Sequence, residues 1–200
     1  MVFHTVCIAT HDERYFSAMK TSAKRAGIDL VILGWGERYT GHVMKDKLLL
    51  EYLSTLPDYD VVLCVDAFDS IFLQNIDTIK NKWNEFNATM VISVDRPGKA
   101  EYLWYCYYHS RIFPKVDGVH TLNSGMFIGK VYAIKNFISD AQQIWSLSKS
   151  NQRKWNIHYR NNYERLSQYV KLDIVMHHLT GNFFHHMEPL SHNKHLYIPN

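Results

Sequence analysis

The chain has 200 residues, 46% of them apolar and 20% charged, which suits one soluble domain with a substantial single core. A formal charge of +3 without a long basic block does not suggest nucleic-acid binding, and no nucleic-acid partner is expected. No run of about 18 apolar residues is present to span a membrane. The opening "MVFHTVCIATHDE" turns polar too early for a secretory signal, so a soluble chain in a reducing, cytoplasmic compartment is expected. Three widely spaced cysteines, Cys7, Cys64 and Cys106, lack the Cys-x-x-Cys spacing of a zinc site and indicate no disulfide framework.

The first half alternates strand and helix patterns. "VFHTVCIAT" reads as a buried strand, and "YFSAMKTSAKRAG" as a helix closed by Gly27. "IDLVILGWG" is a second strand, "KDKLLLEYLSTL" a helix stopped at Pro57, and "YDVVLCVD" a third strand. The third strand shows no period-two alternation, as expected where helices cover both faces of a sheet. "NIDTIKNKWNEF" is again helical and "TMVISVD" a fourth strand. This order predicts an α/β fold with a Rossmann-like, mostly parallel sheet flanked by helices. Beyond Pro97 the pattern loosens. "HTLNSGMFIGK" reads as a strand or hairpin, "YAIKNFISDAQQIWSLS" as a helix, "KSNQRKWNIHYRNN" as a polar loop and "YERLSQYV" as a helix. One domain is expected, with a nucleotide-binding half over 1–96 and an acceptor and metal half, a smaller lobe, over 97–200.

Ligands of open α/β sheets bind outside the carboxyl ends of the strands. Those ends fall at Ala9-Thr10, at Gly34-Trp35-Gly36, at Asp66 to Asp69 and at Asp95. Two carboxylates three residues apart on a turn can approach one oxygen-loving cation, magnesium or manganese, which would neutralise a leaving diphosphate. Equally, Asp69 could cap the turn while Asp66 accepts backbone hydrogen bonds. Neither a dinucleotide-binding G-x-G-x-x-G after the first strand nor a P-loop is present. The histidines of the tail, His178, His185, His186, His192 and His195, read as ordinary surface or structural residues by spacing alone. The aromatic stretch "YLWYCYY", residues 102 to 108, is either a packed segment or a stacking platform for an acceptor.

In order, "CIATHDE", "ILGWGERYTG", "KDKLLLEYL", "YDVVLCVDAFDSIFL", "VISVDRP" and "FPKVDGVHTLNSGMFIG" resemble the glycosyltransferase domain of the procollagen lysyl hydroxylases and related small sugar transferases of large viruses. The resemblance runs from about residue 5 to 140, and "VDAFD" with "LNSGMFIG" is its most specific part. It implies a GT-A fold using a UDP-sugar and manganese. On that pattern Ala9 and Thr10 lie beside the uridine, and Lys47 near the nucleotide. Asp66 and Asp69 bind manganese, and Phe68, in place of the family's usual tyrosine, stacks on uracil. Asn123, Ser124 and Gly125 line the sugar and acceptor pocket. The third metal ligand is a histidine in an H-x-x-G turn, matched by His178, with His192 as rival.

The family's acidic Asp-Asp-Gln stretch has its nearest counterpart in "NNYERLS", with Asn161, Asn162 and Glu164. Asp95 and Glu164 are the candidate bases for an inverting course. The expected activity is metal-dependent transfer of a sugar from a UDP-sugar to a hydroxyl of a glycan or glycoprotein. A non-catalytic nucleotide-sugar or glycan-binding module and a nucleotidyltransferase are the alternatives.

Overall fold

A computed structural model describes residues 1–94, 122–145 and 150–173. Six strands form one sheet in the order β2-β1-β3-β5-β4-β6. They are β1 (Phe3–Ile8), β2 (Leu30–Leu33), β3 (Val61–Asp66), β4 (Met90–Val94), β5 (Leu122–Lys130) and β6 (Val170–Asp173). Five run in the same direction. β5 lies between β3 and β4 and is antiparallel to both. The stretch that read as strand or hairpin is therefore a single reversed strand, and the sheet is mixed.

Helices α1 (Phe16–Arg25) and α3 (Ile76–Glu85) cover one face. The cluster beneath them includes Phe16, Met19, Leu63, Phe72, Ile79 and Ile128. α1 ends as its sequence implies. Gly27 adopts φ +68°, Ile28 N–H reaches Ala23 O at 2.9 Å and Gly27 N–H reaches Lys24 O at 3.2 Å, a Schellman closure. α3 begins at Asn75, whose side chain accepts from Thr78 N–H at 2.9 Å.

The other face carries α2 (His42–Leu53), α4 (Val131–Gln142) and α5 (Asn151–Asn161). α2 starts three residues earlier than the apolar pattern indicates. α5 corrects the loop reading of "KSNQRKWNIHYRNN". Its apolar anchors are Trp155, 1% exposed, and Tyr159, one helical turn later. Trp155 packs edge-on against Phe127 and Phe137, with ring centroids 5.0 and 5.3 Å apart. "YERLSQYV" is helical only over Tyr163–Leu166 (α6), and Val170 already belongs to β6. No described helix is long and apolar enough to cross a membrane. Cys7 and Cys64 are free and buried, and burial raises both thiol pKa values, that of Cys7 to about 12.

Candidate active site

The reversal of β5 matters most at one edge of the sheet. There the carboxyl ends of β1, β2, β3 and β4 meet the beginning of β5. β3 and β5 pair in register up to Val65 and Met126. Between β4 and β5 the register shifts: Ile92 faces Phe127, but Val94 faces Leu122. β5 thus carries extra residues over Asn123 to Met126, a bulge that departs from β4 and pairs with β3 only at Met126. Bulges of this kind aim side chains beside active sites.

Asp66, the last residue of β3, lies directly on this bulge. A Cβ placed on Gly125 would come 2.0 Å from Asp66 Oδ2 and 2.9 Å from Asn123 Oδ1, so any larger residue would push the Asp66 carboxylate out of its present position. Asn123 Oδ1 also accepts Gly125 N–H at 2.7 Å, which fixes the local backbone. From the covering helix, Lys45 Nζ donates to Asp66 Oδ1 at 2.5 Å, and both side chains are about a quarter to a third exposed. Burial alone would lower the Lys45 pKa, but the Asp66 carboxylate beside it carries it above the ordinary lysine value.

Lys47, expected near the nucleotide, points elsewhere. It is exposed and pairs with Glu51 at 3.8 Å. The helical period would have separated the two lysines. Lys45 and Asp46 lie on the stripe of Leu49 and Leu53, which are buried, whereas Lys47 faces away.

α5 holds the start of β5 with polar side chains. Asn156 Oδ1 accepts Leu122 N–H at 2.8 Å and its Nδ2 donates to Leu122 O at 3.1 Å. Gln152 Oε1 accepts Ser124 N–H at 3.3 Å, and Ser124 Oγ donates to Asn151 Oδ1 at 3.3 Å. Asn151 Nδ2 in turn donates to Asp46 Oδ1 at 2.8 Å, and Trp155 Nε1 to Asp46 Oδ2 at 3.3 Å. Sequence reading missed Lys45, Asp46, Asn151, Gln152 and Asn156. The signal for α5 was weak, because its buried side is polar apart from Trp155 and Tyr159.

The turn after Asp66 is anchored on α1. Phe72 is buried and its N–H donates to Ser22 Oγ at 2.9 Å, while Tyr15 N–H approaches Phe68 O at 3.4 Å. Asp69 lies half-buried on this turn. Ala9 and Thr10 are buried at the end of β1, with Gly36 N–H on Thr10 O at 2.9 Å. Beside them stands a wall of rings. Phe68 lies 5.9 Å from the His11 ring and 6.0 Å from Phe16, and the half-exposed Trp35 stacks on Phe16 at 5.4 Å. Ala9, Thr10, Phe68 and the Asp66–Gly125 contact therefore share one edge of the sheet.

Glu164, with Asn161 and Asn162, lies away from that edge. α5 runs from Asn151 at the bulge toward the opposite end of the sheet, and α6 leads into the start of β6, where Tyr169 O accepts Thr89 N–H at 3.0 Å. Asp95, His178, His192 and the aromatic residues 102 to 108 fall outside the described residues. Among the described residues no group of three His, Cys, Asp or Glu side chains is gathered to hold a metal ion.

The mixed six-stranded sheet, with one strand inserted in reverse, is the fold shared with glycosyltransferases of GT-A type. The chain belongs to the family described as the PLOD GT domain, which it matches over residues 2–194. A procollagen-lysine,2-oxoglutarate 5-dioxygenase of Drosophila melanogaster is 28% identical over 133 residues, covering 61% of this chain and 18% of that protein. The chain thus spans less than a fifth of that relative's length. Among solved structures, a glycosyltransferase involved in glycosylation of the major capsid of PBCV-1 shares the fold at a TM-score of 0.56 and 13% identity, over 94% of each chain. Glucosyl-3-phosphoglycerate synthase from Mycobacterium tuberculosis, solved with Mn²⁺, UDP and phosphoglyceric acid, shares it at a TM-score of 0.54 and 15% identity, over 94% of this chain and 72% of that one.

Proposed function

We propose that this domain transfers a sugar from a UDP-sugar to a hydroxyl group of a glycan or glycoprotein, with a divalent cation, manganese or magnesium, at Asp66 and Asp69. The observation that carries this reading is the seating of the Asp66 carboxylate on Gly125, with Lys45 as its partner. The donor set fits a hard cation, because both aspartates offer oxygen ligands. His178 is the candidate third ligand. When bound, the metal supplies charge neutralisation to the diphosphate as it leaves.

The residues of the chain do the rest. Ala9 and Thr10 border the nucleoside, and Phe68 offers a ring face to the base. Lys45 brings a second positive charge to the diphosphate side of the site. Asn123 and Ser124 present polar atoms to the sugar. In the transfer, the bond from the anomeric carbon to the β-phosphate oxygen breaks and a bond to the acceptor oxygen forms. An inverting course hands the hydroxyl proton to a base, for which Asp95, next in the chain after β4, is the candidate; a retaining course hands it to the leaving phosphate. The acceptor half of the domain is assigned to residues 97–200, and the nucleotide half to 1–96.

The test is release of UDP from a panel of UDP-sugars without acceptor, in manganese and in EDTA, for the wild type and Asp66→Asn. Manganese-dependent release from at least one donor, reduced by about a hundredfold or more in the variant, is expected. Manganese-dependent binding of UDP without turnover of any donor, with or without glycan acceptors, would instead identify a binding module.

A further inference from the structure

Asp46 is 3% exposed, and its carboxylate has two donors, Asn151 Nδ2 and Trp155 Nε1. A buried charge is a poor way to fill space, since an apolar side chain of similar volume is usually at least as stable. What the charge provides is direction. An ionised carboxylate only accepts hydrogen bonds, so it fixes the Asn151 amide with its NH₂ toward α2. The Asn151 oxygen must then face the other way, onto Ser124 Oγ at 3.3 Å and Gln152 N–H at 2.8 Å. With the amide reversed, NH₂ would meet the Gln152 N–H and leave that donor unsatisfied. Two consecutive residues of α2 therefore reach both strands of the site: Lys45 bonds Asp66 at the end of β3, and Asp46 reaches Ser124 in the β5 bulge through Asn151.

We propose that Asp46 is a positioning residue for sugar transfer, which sets the orientation of Asn151 and so holds the Ser124–Gly125 bulge against Asp66. This rests on the transferase reading above. A reciprocal exchange separates it from a merely structural role. Asp46→Asn alone lets the Asn151 amide reverse. Asn151→Asp alone sets two carboxylates face to face. The double variant D46N/N151D restores every bond: the new amide at 46 accepts from Trp155 and donates to position 151, where the new carboxylate accepts from Ser124 and Gln152.

The three variants and the wild type are compared by thermal midpoint, by ¹⁵N amide shifts of Ser124 and Gly125, by UDP affinity in manganese, and by kcat and KM for the UDP-sugar cleaved fastest. Each single variant is expected to shift both amides and to lower kcat by about tenfold or more, since small displacements near reacting atoms cost up to about a hundredfold. UDP affinity should stay within about threefold, and the double variant should recover wild-type amide positions and most of kcat. Single variants with unmoved amides and wild-type kcat overturn the proposal. So does a folded double variant as impaired as the singles. If a single variant fails to fold, Asn151→Ala removes the relay itself; shifted Ser124 and Gly125 amides with lowered kcat and intact UDP affinity support the proposal, and unmoved amides with unchanged kcat overturn it. A wild type without affinity for UDP would sink the transferase reading, and the amide shifts alone would then decide whether Asp46 orders the bulge.

Discussion

The two faces of the sheet are built from different material. Under α1 and α3 the core is almost wholly apolar, with Phe16, Phe72 and Ile79 fully buried. Under α2, α4 and α5 an apolar centre around Phe127, Phe137 and Trp155 gives way, at the site edge, to buried Asp46, Asn151 and Asn156. The first face holds the fold together chiefly by apolar burial, with the Ser22 Oγ bond to Phe72 N–H as its polar exception. The second surrenders part of that burial to hydrogen bonds that fix the first residues of β5. At the site edge, buried Asp46, Asn151 and Asn156 serve to aim the backbone of β5.

The sharpest way to break this contrast is Gly125→Ala. The added Cβ would displace the Asp66 carboxylate, so manganese-dependent UDP affinity and turnover should each fall by about a hundredfold or more, checked by calorimetry and UDP release. A paired substitution sharpens it. Trp155→Ala and Phe72→Ala remove fully buried rings from opposite faces, and each should cost about 3–5 kcal/mol in urea unfolding. Only Trp155→Ala also removes a donor to Asp46, so only it should shift the Ser124 amide.

A smaller effect concerns pH. Burial raises the Asp46 pKa from 3.8 to about 6, although Asn151, Trp155, Lys154 and Lys45 all favour its charged form. The folded state therefore holds this proton more tightly than the unfolded chain. The contribution is fully present below about pH 4, is lost as pH rises through about 6, and amounts to on the order of 2–3 kcal/mol. Wild-type stability minus that of Asp46→Asn, measured by urea unfolding between pH 4 and 7.5, should fall by that amount. The smallest effect belongs to the N-terminus of α3, beside Ala26 at the far end of α1. Asn75→Ala removes the α3 cap and should cost about 1 kcal/mol, with UDP affinity unchanged.

The same contrast explains what could be read in the sequence. β1 to β4 and α1 to α3 were legible, because apolar runs and punctuation such as Gly27 report burial directly. The carboxylate pair of "VDAFD" and the glycine of "LNSG" stood out as residue types. Their contact did not, since it depends on β5 running backwards between β3 and β4, and pairing partners leave no local signal. α5 was read as loop because Asn151 and Asn156 occupy positions where periodicity looks for apolar side chains. Glu164 stood out as the counterpart of the family's acidic stretch, yet a helix of eleven residues carries the chain away from the edge where Asp66 lies.

The proposed transfer depends on Asp66 as the anchor of a cation that in turn holds a nucleoside diphosphate. Titration of UDP into the protein by calorimetry, in manganese, in EDTA and with Asp66→Ala, tests it most directly. Binding that requires both manganese and Asp66 is the predicted result. Equal binding with EDTA or in the variant, or no binding of UDP in any condition, would contradict the account and leave "VDAFD" as a structural turn of a GT-A fold.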